Sequence, residues 1–134
     1  MKFIIRDFVT SKLKEYEKLL KDLAEKTILK FPGSLMDFEV VEQYRNMKEI
    51  LRKYPDVEKN ALEAMERLGI KPIQHPIRGG TDGSRLSFMG LPTPNIFAGE
   101  HGFHSKLEWV AIQDMEMAVK VIVEIAEIWE EKEK

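Results

Sequence analysis

The sequence predicts an α/β (α+β) fold. A strand–helix–strand pattern occupies residues 3–40, short helices alternate with proline-marked extended runs in the middle, and one long amphipathic helix closes the chain. Residues 3–8 hold Phe3, Ile4, Ile5 and Phe8, a short strand of aromatic and β-branched side chains. Thr10 or Ser11 can cap the helix that follows, where Leu13, Tyr16, Leu20, Leu23 and Thr27 recur at helical spacing between lysines and glutamates. Pro32-Gly33-Ser34 ends that helix. Met36, Phe38 and Val40 then alternate with Asp37 and Glu39, which predicts a half-buried strand. A lone β-α-β unit leaves its sheet edges open and wants further strands.

Tyr44-Arg45-Asn46 leads into a short helix over 47–52, and Pro55-Asp56 starts another that carries Ala61, Leu62, Met65 and Leu68 before Gly69. Residues 71–76 read as extended, held so by two prolines. Thr81 or Asp82 caps a short helix with Leu86, Phe88 and Met89, closed by Gly90. Residues 94–97 read as a buried strand. In the last helix Ala118, Val119, Ile122, Ile125, Ala126 and Trp129 mark one face, and Glu116, Lys120, Glu124, Glu127 and Glu131 the other. Val121 and Ile128 widen the apolar stripe, which suits packing on a sheet. The methionines at 36, 47, 65, 89, 115 and 117 read as core filler.

Composition narrows the function classes. The chain has 134 residues, 43% hydrophobic and 33% charged, which suits a soluble globular protein. A net charge of −2 gives no electrostatic case for nucleic acid. The absence of cysteine excludes disulfides and Cys-based zinc sites. No apolar run is long enough for a bilayer, and the first residues are too short in their apolar stretch for a signal peptide, so no membrane partner and a cytoplasmic location are expected.

Two stretches carry chemistry. In Arg78-Gly79-Gly80-Thr81-Asp82-Gly83, glycines surround one arginine, which fits backbone bent close to a ligand. The guanidinium fork can grip a carboxylate bidentately, although an ion pair is the alternative. Gly79, Gly80 and Gly83 equally suit a turn before the Thr81 cap. Further on, Phe103-His104-Ser105-Lys106-Leu107-Glu108-Trp109 delivers a histidine. A neutral imidazole is a good zinc ligand when its other nitrogen has an acceptor; a histidine hydrogen-bonded in a loop is the alternative. His101 could chelate with His104 only on a helix. Gly99 and Gly102 argue against one, so His101 reads as an exposed loop residue.

Residues 76–92, then Pro94-Asn95-Ile96-Phe97 and Phe103-His104, closely resemble the C-terminal region of the peptidase T family of zinc-dependent tripeptide aminopeptidases. The resemblance extends upstream through Tyr44-Arg45-Asn46-Met47 to Ile4-Ile5-Arg6-Asp7. It implies that residues 1–45 are the second half of a lid or dimerisation domain, and residues 46–134 the C-terminal segment of an α/β catalytic domain. It implies two zinc ions in the complete active site, with His104 the single ligand in this chain and the general base upstream. It implies that Arg78 binds the terminal carboxylate of a short peptide and that Arg6 reaches the substrate from the lid. Asn46 would line the hinge or cleft, unless it is a helix N-cap, and Gly80 would approach the ligand. The expected partners are the peptide substrate, the missing N-terminal part of the enzyme and further copies of the chain. The sequence departs from the family at Ser105-Lys106-Leu107-Glu108, where glycine-lysine-histidine-glutamate is usual, and this puts in doubt any supporting role for that histidine. The isolated chain is expected to be inactive. The alternatives are a non-catalytic fragment or association module, and a small stand-alone metal-binding protein.

Overall fold

The computed structural model describes residues 1–77 and 79–134. The elements in order are α1 (Thr10–Ile28), α2 (Lys48–Leu51), α3 (Pro55–Arg67), α4 (Asp82–Phe88), β1 (Glu100–His101), β2 (Trp109–Val110) and α5 (Ile112–Glu133). The chain divides into two compact units, Met1–Asn46 and Met47–Lys134. The fold is therefore mixed helical with a small sheet.

In the first unit α1 forms as its periodicity predicts, but the strands around it do not. Among the described residues the only sheet is the antiparallel pair β1–β2, so 3–8 and 36–40 join no ladder. A strand pattern becomes a strand only against a partner's free backbone groups. Neither Thr10 nor Ser11 caps α1. Val9 holds the cap position without a side-chain bond, and its amide donates to Asp7 Oδ1 at 2.8 Å, an Asx turn that leads into the helix. No residue of α1 is buried.

The second unit holds the core. Proline at the first position of α3 needs no backbone donor there, and Gly69, with φ 73°, lets the chain leave that helix. Ala64 of α3 and Val121 and Ile128 of α5 are fully buried together, with Met65, Leu68, Ile70, Ile96, Phe97 and Ile125 packed around them. α5 thus packs on a helix rather than on a sheet. Residues 94–97 contribute Ile96 and Phe97 to this core as irregular chain, not as a strand.

The buried face of α5 also differs from the expected one. Val121 and Ile128, read as the margin of the stripe, are its centre, while Val119, Ile122 and Val123 are more than half exposed. Apolar residues cover so much of α5 that helical periodicity alone cannot select the inward face. Met89 and Met115 are exposed rather than core filler.

A charged clamp closes the same helix pair. Arg67 donates to Glu63 (2.7 Å) on α3 and to Glu124 (3.1 Å) and Glu131 (2.9 Å) on α5. Lys132 donates to Glu63 (2.7 Å) and to Asn60 Oδ1 (2.8 Å). Hydrogen bonds from Lys132 and then Arg67 hold the Glu63 carboxyl below its ordinary range, and the bond from Arg67 does the same for Glu131. Asn60 is buried beside them, and its Nδ2 has no hydrogen-bond partner among the described residues.

Candidate functional site

The His104 turn grows out of a two-residue ladder. Glu100 pairs with Val110 and His101 with Trp109, antiparallel, so residues 102–108 form the connecting loop. The loop is closed by its own short-range bonds. The Ser105 amide donates to Gly102 O (3.1 Å), the Leu107 amide to Ser105 Oγ (3.0 Å) and the Glu108 amide to Ser105 O (3.3 Å). Ser105 thus supplies a side-chain acceptor that a glycine cannot.

At the foot of the hairpin the His101 and Trp109 rings stack, centroids 4.3 Å apart at 17°. His101 Nε2 lies 4.0 Å from Asp114 Oδ2 in the first turn of α5. Gly99, at φ 81°, presses on Asp114, and a Cβ there would come within 2.4 Å of the Asp114 Cβ. Only glycine combines that dihedral with that approach. The turn is therefore seated on the start of α5.

His104 itself has φ 60°. Among the described residues it is the only non-glycine in the left-handed region, and it is exposed. A non-glycine side chain there costs roughly 1–2 kcal/mol. Such strain persists where the surroundings over-determine it, and it clusters at functional positions.

Arg78 lies outside the described residues. Gly79 and Gly80 beside it are exposed, and a Cβ on Gly79 would meet open space. Gly83 is different: it is buried, and a Cβ there would come within 2.5 Å of Thr93 O. Its lack of a side chain lets the first turn of α4 pass the 93–95 backbone. Thr81 occupies the cap position of α4, but its Oγ1 accepts from Asn95 Nδ2 (3.3 Å) instead of capping. Asn95 therefore has a structural partner.

Arg6 and Asn46 lie in the first unit; Gly80 and His104 lie in the second. Arg6 is exposed. Asn46 is half-buried, and its Nδ2 donates to Phe8 O at 2.8 Å, tying the end of that unit to its beginning. It does not cap α2, whose cap position is Met47. Gly99 and Gly102 around His101 predict an exposed loop. His101 is exposed, but it lies in β1 and stacks on Trp109. That pairing follows from the hairpin register, which no local sequence signal reveals.

Among the described residues no three His, Cys, Asp or Glu side chains converge as a metal site. The residues present do not by themselves fit a dinuclear centre. No helix among them is long and apolar enough to cross a membrane.

No protein-family model matches the chain. Over 132 residues, 98% of its length, it is 46% identical to the peptidase T of Caldanaerobacter subterraneus and 48% identical to that of Clostridium acetobutylicum. It is 48% identical over 126 residues to the peptidase T of Fusobacterium nucleatum. The chain corresponds in sequence to a C-terminal portion of peptidase T. It spans about a third of the length of these peptidase T relatives, 31–32% of each of the three.

Proposed function

We propose that this chain is the C-terminal part of a zinc-dependent tripeptide aminopeptidase of the cytoplasm, and that it is inactive alone. The observation that carries the reading is the similarity to peptidase T along nearly the entire chain. The exposed, left-handed His104 supports a role as metal ligand, since its strain has no counterpart elsewhere among the described residues. One imidazole does not hold zinc tightly, and the described residues offer no cluster to complete the site, so the chain contributes a ligand and not a centre.

The work assigned to this chain is binding and orientation. Arg78, in its glycine-rich segment, would pair with the terminal carboxylate of a short peptide through two parallel hydrogen bonds. Gly80 would let backbone approach that carboxylate, and Arg6 and Asn46 would contact the substrate from the first unit. A clamp on the peptide's tail favours short substrates, because a longer chain would run into it.

The test splices this chain onto the remaining two thirds of the Caldanaerobacter peptidase T. The chimera should hydrolyse tripeptides, and the chain alone should not. Arg78→Met in the chimera should lower kcat/KM by ~10²-fold for a free-carboxylate tripeptide and much less for its C-terminal amide. Tripeptide hydrolysis by the isolated chain that a chelator abolishes would overturn its assignment as an incomplete part. Equal losses on acid and amide would remove Arg78 from the clamp.

A further inference from the structure

Helix α5 is apolar on two opposite sides, and only one of them is covered. Val121, Ile125 and Ile128 point into the core on α3. Ile112, Met115, Val119 and Ile122, spaced three, four and three residues apart, form a second stripe that is 71%, 51%, 59% and 56% exposed. At about 100° per residue, this stripe lies roughly 130° round the helix from the buried one. Part of it lines a shallow apolar groove bordered by Glu116 and Lys120. A helix that is apolar on both sides belongs between two layers, not at a surface.

The occupant follows from size and from chain length. The stripe exposes roughly a few hundred Å², short of the ~800 Å² per partner that a stable complex of two separate proteins buries. A second copy seated on this stripe alone would therefore be held weakly. The relatives, by contrast, are about three times as long as this chain and match it along nearly its whole length. We infer that the Ile112–Met115–Val119–Ile122 face of α5 is an internal packing surface. Its occupant is an aliphatic face of the polypeptide corresponding to the two thirds of peptidase T that this chain does not span. The inference rests on the reading of the chain as part of a larger peptidase.

The test co-expresses the full chain, tagged, with the untagged remaining two thirds of the Caldanaerobacter peptidase T. The two should co-purify one to one. Val119→Glu with Ile122→Glu should cut the recovered partner by more than about tenfold, as loss of a central apolar contact does. The substituted chain alone should keep the parent's helical circular dichroism and melting temperature, since both positions are exposed in it. Undiminished co-purification would remove this face as the interface while leaving the larger-peptidase reading intact. No co-purification with the parent chain would count against that reading itself. A parent chain that self-associates, and becomes monomeric on the same substitutions, would overturn the occupant in favour of a second copy.

Discussion

Substituting Ile128 and Ile122 separately by alanine asks which side of α5 faces inward. Ile128 is fully buried against Ala64 and Val121, whereas Ile122 is 56% exposed. Ile128→Ala removes three buried carbons, about 2.4 kcal/mol at ~0.8 kcal/mol each. The cavity left behind raises this to about 3–4 kcal/mol. Ile122→Ala loses little burial and gains a few tenths of a kcal/mol of helix propensity, so its net effect is within about 0.5 kcal/mol of zero. Urea unfolding followed by tryptophan fluorescence is the assay, because Trp109 and Trp129 both lie in the second unit. With a slope near 1.5 kcal/mol per M, the Ile128→Ala midpoint should fall by roughly 2 M and the Ile122→Ala midpoint should barely move. Equal shifts, or a larger one for Ile122→Ala, would refute the assignment of the inward face.

The clamp predicts a pH dependence. Glu63 and Glu131 have lowered carboxyl pKa values in the folded chain, so their stabilisation is present above the unfolded value near 4.5 and is lost as pH falls through the lower folded values. Arg67→Met should flatten the acid limb of stability between about pH 5 and 3, and added salt should shrink the difference; an unchanged acid limb would show that the clamp contributes nothing. Gly99→Ala should destabilise the second unit by about 1–3 kcal/mol, because it adds a Cβ 2.4 Å from that of Asp114 at φ 81°. A thermal melt unaltered by that change would mean the hairpin is not seated on α5. His104→Gly should raise stability by about 0.5–1 kcal/mol, the relief of left-handed strain less the added freedom of the unfolded chain. A lower melting temperature would mean that the His104 ring makes contacts outweighing its backbone strain.

Much of the helical fold was legible because caps and breakers act locally. Pro55 and Gly69 delimit α3, and Gly90, at φ 105°, follows the last turn of α4. The strands were less legible. Residues 3–8 and 36–40 carry a strand pattern, but pairing is a property of two segments, and pattern alone supplies one. The inward side of α5 was hidden by an apolar surface too broad for periodicity to resolve. At the candidate site, Gly99 and Gly102 argue against a helix, and both do take a positive φ. That His104 takes one as well was not legible, because histidine has no intrinsic preference strong enough to announce it. Asn46 was ambiguous because an amide serves a ligand and a backbone equally well; in the fold it bonds to the Phe8 carbonyl.

α5 is fixed at both ends. Its first turn meets the foot of the His104 hairpin through Asp114 against Gly99, and its far half is gripped through Glu124, Glu131 and Lys132. Inserting or deleting a single residue between these anchors would rotate one end against the other by about 100°. Either the clamp would lose its carboxylates or the hairpin would lose its seat. This stretch should therefore accept exchanges of side chain far more readily than any change in the number of residues.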